Sequence, residues 1–239
     1  MAFKLSLKSA PLLKTLADDR KPNSLSSKLR QKRFAVFTKL VKNHCEKTKG
    51  LVRIIDVGGT PTVWERNLPL LKQLCPVTQV KVVVANIKDY RTSCIDINCV
   101  IANATKMNQF KDKEFDIVFS NSVIEHVGDF EAQKAMANEI LRIGKVYFVQ
   151  TPNFYFPIEP HFLFPFFQFF PLPLKVWLIR NFDLGWRRKA PTLDTALVLI
   201  NSVKLLTKKQ LISLFPQANL FEEKIFSLTK SFILYGESP

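Results

Sequence analysis

Short apolar runs rich in valine and isoleucine alternate with helix-like segments from Leu51 onward, and this alternation constrains the fold more than any other feature. The first run is Leu51–Val57, and comparable runs cover residues 80–85, 94–101, 115–119 and 145–150. Uninterrupted apolar runs of this length are typical of strands buried on both faces of a parallel sheet. Because helices are predicted between them, for example over residues 62–75, the pattern predicts an α/β fold with helices on both faces of the sheet.

Capping residues mark the predicted ends of two further helices. Asp129 is suited to cap a helix that runs to Ile143, and Gly144 is predicted to end it. Thr207 is suited to cap a helix over residues 208–215, because its hydroxyl can accept a hydrogen bond from a free amide of the first turn.

The two ends of the chain depart from the strand–helix alternation. Residues 27–44 place apolar side chains at spacings of three to five, which predicts an amphipathic helix. Two strand-like runs lie near the other end, over residues 221–226 and 230–235. Their short separation predicts an antiparallel hairpin.

The net charge of +15 is concentrated in residues 1–50, which hold 13 Lys or Arg and 3 Asp or Glu. A basic segment of this kind can bind nucleic acid, an anionic membrane surface or an acidic substrate. It can also be a solvated face that only keeps the chain soluble. These interpretations stay open at the level of the sequence.

The four cysteines are Cys45, Cys75, Cys94 and Cys99, with no CxxC pair and no histidine at a metal-ligand spacing. This usage predicts free thiols in a reducing cytosol. The N-terminus has no apolar core of the signal-peptide type before its charges resume. The sequence therefore predicts a cytoplasmic protein, with or without peripheral membrane contact.

A glycine turn follows the first predicted strand. Asp56, Gly58, Gly59 and Thr60 lie at its carboxyl end, where doubly wound sheets bind their ligands. Glycine lets the backbone turn sharply and approach a ligand without an intervening Cβ atom. The alternative is an ordinary strand-to-helix turn that uses glycine only for its shape.

This turn resembles the first motif of the class I S-adenosylmethionine-dependent methyltransferases, with Thr60 and Thr62 where the family usually has glycine. The family's second strand ends in an acidic residue that binds both ribose hydroxyls, and Asn86 stands at that position. An Asp-Ala pair follows the family's third strand and faces the adenine, and Asn103-Ala104 stands there. An amide offers one acceptor and one donor group in place of a carboxylate.

The segment from Phe115 to Val127 is similar to the family's fourth strand and the loop after it. The resemblance runs from about Leu51 to Tyr235 and is least typical over residues 152–203. It implies a Rossmann-like seven-stranded sheet of order 3-2-1-4-5-7-6 with the seventh strand antiparallel, and S-adenosylmethionine as cofactor. The cofactor-binding residues that it implies are Asp56, Gly58, Gly59, Thr60, Asn86, Asn103, Ala104, Ser120 and Asn121.

The composition shifts along the chain predict four regions. These are a basic helical segment over 1–50, a cofactor-binding core over 51–151, a Phe/Pro-rich lid or cap over 152–203, and a C-terminal helix and hairpin over 204–239.

Two histidines are candidate general bases, which methyl transfer to a hydroxyl group requires. His126 follows the fourth strand, and His161 lies in a segment where Glu159 can orient it or bind substrate. A structural hydrogen bond within the loop is the alternative for His126. Glu125-His126 resembles part of a metal-binding Glu-x-x-Glu-His motif of some ubiquinone-pathway O-methyltransferases, but Ser122 replaces its first Glu, and no metal site is predicted.

Residues 162–179 are rich in phenylalanine and long enough to suggest a membrane span. Their three prolines and one lysine argue against a span. A lid over an apolar substrate, a shallow membrane anchor and plain core packing all remain. After this stretch, a basic and aromatic cluster is suited to a phosphate or carboxylate group of a substrate: Arg180, Trp186, Arg187, Arg188 and Lys189.

The leading hypothesis is an enzyme that methylates a small molecule at oxygen, with an apolar or lipid-linked acceptor suggested by the Phe-rich segment. An RNA methyltransferase that uses the basic N-terminal segment is one alternative. A non-catalytic protein that kept the fold is another, and the departures at Thr60, Thr62, Asn86 and Asn103 favour it.

Overall fold

A computed structural model describes residues 24–48, 50–76 and 78–239 of the chain. The helices of these residues are α1 (Leu25–Lys47), α2 (Pro61–Leu74), α3 (Phe130–Ile143), α4 (Leu172–Asn181), α5 (Leu193–Asn201) and α6 (Lys208–Leu214). The strands are β1 (Gly50–Val57), β2 (Thr78–Asn86), β3 (Ile97–Ile101), β4 (Phe115–Asn121), β5 (Gly144–Pro152), β6 (Ile158–Glu159), β7 (Phe164–Pro165), β8 (Asn219–Ile225) and β9 (Leu228–Glu237). Short 3-10 turns cover Ile124–His126 and Phe167–Phe169.

Seven strands form one sheet of order β3-β2-β1-β4-β5-β9-β8. The first five are parallel to their neighbours, whereas β9 runs antiparallel to both β5 and β8. This order confirms the predicted fold, with β8 and β9 as the sixth and seventh strands. The strand order reverses next to β1, so the carboxyl ends of β1 and β4 border the crevice in which such sheets bind ligands.

The chain divides into two compact units. The first, which we call the sheet unit, comprises residues 34–153 and 204–239 and contains the seven-stranded sheet. The second, which we call the aromatic unit, contains the described residues 24–33 and residues 154–203. The Phe-rich stretch and helices α4 and α5 belong to the aromatic unit.

Alternate side chains of the central strands point to opposite faces of the sheet, as the period of a strand requires. On β1, Ile55 and Val57 join a core cluster that α3 and α6 complete. Val52 and Ile54 join a second cluster with residues of α1 and α2. Both faces of the sheet are therefore covered, as the uninterrupted apolar runs predict.

Four buried aromatic rings form the centre of the second cluster. The ring of Phe37 on α1 lies edge-on to Trp64, Phe119 and Phe148, with centroid separations of 5.9, 4.7 and 5.5 Å. Phe119 and Phe148, on adjacent strands, are stacked at 5.3 Å. Edge-to-face and offset-stacked pairs at these distances are favourable beyond the area that they bury.

The ends of α3 and α6 follow the predicted capping residues. The Asp129 carboxylate accepts a hydrogen bond from the Ala132 amide at 3.0 Å, and Thr207 and Gln210 form a reciprocal capping box. Gly144 ends α3 with φ −105°, so it does not adopt a left-handed conformation. A Cβ atom there would overlap the Val118 side chain, so the close packing of the helix end on β4 explains the glycine.

The prediction of four free thiols is wrong for Cys45 and Cys75, which form a disulfide. Cys45 lies near the end of α1 and Cys75 directly follows α2, and their Cα atoms are 5.9 Å apart, within the range that a disulfide spans. The two residues are 30 apart in sequence, so their pairing depends on how two helices pack and has no local signature. The inference of a reducing cytosol rested on free thiols and loses that premise.

The aromatic unit has a core of its own. Phe162 and Phe167 are buried in it and stack at 4.3 Å, together with Leu178 and Ile179 of α4 and Ala196 of α5. Part of the Phe-rich stretch therefore serves core packing. Among the described residues, no helix combines the length and the apolar character that crossing a bilayer requires.

Candidate active site

A cavity of about 330 Å³ opens at the carboxyl ends of β1, β2 and β3, beside the loop that follows β4. All of its lining residues belong to the sheet unit. They are Val57, Gly58, Ala85, Asn86, Ile87, Ala102, Asn103, Ala104, Met107, Ser122, Val123, His126 and Val127. The cavity thus lies at the position where the sequence predicts cofactor binding.

Gly58 brings the backbone directly to the cavity wall. Its φ of +84° lies in the left-handed region, which favours glycine. A Cβ atom at this position would collide with the side chain of Val123, which also lines the cavity. The Gly58 amide donates a hydrogen bond of 2.7 Å to the Ala85 carbonyl of β2, so the turn is held to the neighbouring strand.

Asp56 lies beneath this turn and does not line the cavity. It is 2% exposed, and the indole Nε1–H of Trp64 donates to its Oδ2 at 2.6 Å. Burial raises the pKa of Asp56 to about 7, and the Trp64 hydrogen bond opposes this rise. Its Oδ1 has no hydrogen-bond partner. A Cβ atom on Gly59 would overlap the carboxylate, so the second glycine leaves room for this buried acid.

Asn86, at the end of β2, ties the glycine turn in place with its side-chain amide. Its Nδ2 donates to the carbonyls of Gly58 and Gly59 at 2.9 and 2.8 Å, and its Oδ1 accepts from the Lys88 amide at 3.0 Å. A carboxylate could not donate these two hydrogen bonds. The amide that departs from the family pattern therefore matches the local structure of this chain.

Asn103 organises the next part of the wall in a different way. Its Oδ1 accepts hydrogen bonds from the amide and the hydroxyl of Thr105, at 3.0 and 2.9 Å. Ala104, beside it, also lines the cavity. Both asparagines predicted as cofactor contacts thus border the cavity, and each shapes the loop that carries it.

Besides Asp56, four predicted cofactor residues lie outside the cavity lining, namely Gly59, Thr60, Ser120 and Asn121. Ser120 is buried on β4, and its hydroxyl donates to the Val57 carbonyl of β1 at 3.2 Å. Asn121 ends β4 and pairs in register with Gln150 of β5. Thr60 is the N-cap residue of α2, without a side-chain capping bond. Ser120 therefore supports the strand ends, and does not itself reach the cavity.

His126 ends the 3-10 turn after β4, with an exposed ring that lines the cavity. The preceding Glu125 is fully buried, and its Oε2 accepts a hydrogen bond from the Thr151 hydroxyl at 2.9 Å. Its backbone carbonyl accepts from the Lys204 amide at 2.7 Å. These bonds anchor the turn and so hold His126 at the cavity wall.

Glu159 and His161 form a pair within the aromatic unit. His161 Nδ1 lies 2.7 Å from Glu159 Oε1, and Glu159 Oε2 accepts from the amides of His161 and Phe162 at 2.8 and 2.7 Å. Glu159 is 3% exposed. The carboxylate thus fixes both the backbone turn and the orientation of the imidazole, as expected for an orienting residue.

Sequence reasoning missed the apolar part of the cavity wall. Ile87 follows β2, Met107 is fully buried beyond β3, and Val127 follows the 3-10 turn. Ala102, Ser122 and Val123 were also missed. Such residues carry no motif of their own, and only their positions just past the strand ends could have indicated them.

The lining residues fit a nucleoside cofactor. The apolar wall suits a planar heterocycle, and the asparagine side chains and exposed loop amides supply polar contacts for a sugar. Gly58 allows close approach of a ligand to the backbone. The buried Asp56 Oδ1, which has no hydrogen-bond partner among the described residues, lies under the same turn.

Residues 58–147 match the family model of a methyltransferase domain. The match covers the segment from the glycine turn through the start of β5, which holds every lining residue of the cavity except Val57. A search of curated proteins with the whole sequence found no match.

Three solved structures are similar to this chain. A protein from Bordetella parapertussis described as a possible exported protein shares 12% identity, covers 88% of this chain and 68% of its own, and has a TM-score of 0.54. A SAM-dependent methyltransferase from Methanosarcina mazei shares 14% identity over 78% of this chain and 92% of its own, at 0.47. An O-methyltransferase family protein from Burkholderia thailandensis shares 11% over 85% of this chain and 55% of its own, at 0.49.

The sheet has the strand order of the class I S-adenosylmethionine-dependent methyltransferase fold, and residues 58–147 within it match a methyltransferase domain. The fold and this matched domain together support S-adenosylmethionine as the cofactor.

Proposed function

We propose that this chain transfers a methyl group from S-adenosylmethionine to a hydroxyl oxygen of a small apolar or lipid-linked acceptor. The observation that carries the proposal is the position of His126. Among the described residues that line the cavity, it alone has an imidazole, carboxylate or ammonium side chain. A neutral imidazole can accept the proton that a hydroxyl group loses as its oxygen is methylated.

When bound, S-adenosylmethionine supplies a methyl group on a sulfonium, which an acceptor can displace in line. In that transfer His126 would take the proton that the acceptor hydroxyl loses. The Gly58 turn and the walls formed by Ile87 and Met107 would hold the nucleoside part of the cofactor. Positioning of this kind supplies much of the rate enhancement in group transfer.

The Glu159–His161 pair is a second candidate for proton transfer. Its 2.7 Å hydrogen bond holds the His161 imidazole in one orientation, as a carboxylate does for an oriented general base. The exposed aromatic rings of the aromatic unit support an acceptor with an apolar part. A cytoplasmic location is part of the proposal.

The cofactor step is tested by calorimetric titration with S-adenosylmethionine and S-adenosylhomocysteine. Gly58→Ala should abolish measurable binding, because the added Cβ collides with Val123. Gly50→Ala is the matched control: Gly50 has a φ of +100°, but a Cβ atom there meets nothing within 4 Å. Absence of binding in the unaltered chain would support a non-catalytic protein that kept the fold.

A milder pair of variants leaves folding unaffected. Ile87 lines the cavity although its side chain is 73% exposed, so Ile87→Ala should weaken cofactor binding by about tenfold through lost apolar contact. Ile95 is 93% exposed and lies outside the cavity lining. Ile95→Ala should bind the cofactor as the unaltered chain does.

The acceptor step is tested by transfer of a labelled methyl group to a panel of phenols and long-chain alcohols, with amines and RNA in parallel. His126→Gln should lower kcat by about 10²–10⁴-fold, the usual contribution of a general base, and should leave cofactor binding intact. His161→Gln distinguishes the second candidate. Preferential labelling of RNA would overturn the small-molecule proposal and favour the alternative based on the basic segment.

A further inference from the structure

The aromatic unit exposes large apolar side chains that its own core does not use. Seven of them, within residues 155–186, have exposed fractions between 37% and 63%. They are Tyr155, Phe166, Phe169, Leu172, Leu174, Trp177 and Trp186. Isolated exposed apolar residues are common on protein surfaces, but a concentration of them marks an interaction surface.

Several of these side chains are held close together. The rings of Tyr155 and Phe169 stack at 6.3 Å, and Phe166 lies 6.5 Å from Phe169. Lys175 of α4 donates to the Gln168 carbonyl at 3.0 Å. Because Gln168 lies in the 3-10 turn that carries Phe169, this bond joins the ring cluster to the start of α4.

Helix α4 turns an apolar face outward. Leu172, Leu174 and Trp177 are exposed, whereas Leu178 and Ile179 are buried in the core of the unit. A groove of about 370 Å³ runs along the outer face, lined by Pro173, Val176, Trp177, Arg180 and Asn181. The groove is therefore lined by apolar side chains together with the guanidinium group of Arg180.

Basic side chains gather where this helix ends. Residues 171–190 contain five Lys or Arg and a single acid, Asp183. The Ala190 amide donates to the Ile179 carbonyl at 2.9 Å. This hydrogen bond holds the loop that carries Arg188 and Lys189 against the end of α4. Asp183 Oδ1 accepts from the Lys189 amide at 2.8 Å.

We propose that this surface of the aromatic unit, the exposed rings and the outer face of α4 together with the adjoining basic loop, binds the interface of a membrane rich in anionic phospholipids. Tryptophan and tyrosine place a polar edge and an apolar body at the headgroup level. The exposed apolar face of α4 inserts shallowly, and Arg180, Arg188 and Lys189 contact lipid phosphates. Binding does not depend on methyl transfer and can be measured without it.

The test is flotation of the full chain with phosphatidylcholine vesicles, with and without phosphatidylglycerol. We expect binding only with the anionic lipid and weaker binding at high salt. Arg180→Gln with Arg188→Gln should weaken binding by about fivefold per charge. The control, Arg66→Gln with Arg91→Gln, removes the same charge from exposed positions of the sheet unit. It should change binding less than twofold, because salt screens charges that lie far from the membrane surface.

Tryptophan fluorescence gives a readout that needs no loss of binding. Trp64 is fully buried in the sheet unit, whereas Trp177 and Trp186 are exposed. Phosphatidylcholine brominated on its acyl chains, mixed with phosphatidylglycerol, should quench the unaltered chain, and Trp177→Phe should remove much of that quenching. Phe226→Ala, at a 98% exposed position of the sheet unit, should change neither flotation nor quenching.

Three results would overturn the proposal. One is failure of the unaltered chain to float with anionic vesicles, and another is an equal loss in the Arg66/Arg91 control, which would assign binding to overall charge. The third is a dimer, seen by light scattering, that Trp177→Ala dissociates while vesicle binding persists. The surface would then be an interface between two copies of the chain.

Discussion

The two units of this chain use aromatic residues in opposite ways. In the sheet unit, Phe37, Trp64 and Phe148 are fully buried against the central strands. In the aromatic unit, Phe162 and Phe167 form the core, and Phe166, Phe169 and Trp177 remain about half exposed. A small unit with a single core cluster has too little interior to bury all of its aromatic rings. The number of apolar residues in a segment therefore overestimates how many of them are buried.

The largest difference in stability is expected between removing a buried ring of the sheet unit and removing an exposed ring of the aromatic unit. Phe148→Ala should lower the free energy of unfolding by about 3–5 kcal/mol, because it leaves a cavity among stacked rings. Phe169→Ala, at a 46% exposed position, should cost less than about 1 kcal/mol. Urea denaturation followed by circular dichroism measures both. Equal losses would contradict the division into a buried and an exposed aromatic set.

Buried acids differ between the units as well. Glu159 in the aromatic unit accepts three hydrogen bonds, whereas Asp56 in the sheet unit accepts one and has an orphan oxygen. Burial raises the pKa of Asp56 to about 7 from 3.8, so the folded state holds its proton more tightly than the unfolded state. The stability from this group is fully present below pH 3.8 and is lost as the pH rises to about 7.

Between low and neutral pH, the ionisation of Asp56 should lower the free energy of unfolding by up to about 4 kcal/mol, at about 1.4 kcal/mol per pKa unit. The Asp56→Asn variant should not show this decrease. The matched control is Asp116→Asn. Burial raises the pKa of Asp116, but the His44 side chain and hydrogen bonds from the Arg53 amide and the Lys145 ammonium outweigh it, so the pKa is lowered. Its contribution is present at neutral pH and is lost as the pH falls, so the two variants should shift the pH profile in opposite directions.

The two asparagines of the cavity wall should respond differently to a carboxylate. Asn86→Asp removes both donors to the glycine turn, which should cost about 1–3 kcal/mol of stability. Asn103→Asp keeps an acceptor for both Thr105 bonds and should change stability by less than about 0.5 kcal/mol. Thermal unfolding of the two variants checks this. A stable Asn86→Asp variant would show that the turn does not need the clamp.

The smallest stability changes are expected from removing one helix N-cap in each unit. Thr207 and Gln210 form a reciprocal box at α6, whereas at the start of α5 Thr192 accepts from the Thr195 amide and bonds the Thr195 hydroxyl. Thr207→Ala should cost about 1 kcal/mol and Thr192→Ala about half of that, because loss of the Thr207 hydroxyl also loosens the Gln210 side chain that accepts from the Thr207 amide. Chemical denaturation of each variant is sufficient, and the reverse order would contradict this explanation.

Local sequence patterns determined much of this protein. The apolar runs predicted the strands of the sheet, and Asp129 and Thr207 predicted two helix starts. Gly58 indicated the turn at the cavity. These features depend on residues close together in the chain, because strand period, helix capping and left-handed turns are set by neighbouring backbone and side-chain groups.

The tertiary structure decided what depends on distant contacts. Cys45 pairs with Cys75, and the Asn86 side-chain amide donates to the Gly59 carbonyl 27 residues away. The packing also determines which phenylalanines are exposed. It also assembled the cavity wall from Ile87 and Met107, which carry no motif. Such contacts form only when the chain closes long loops and packs helices on the sheet, so no local pattern of residues encodes them.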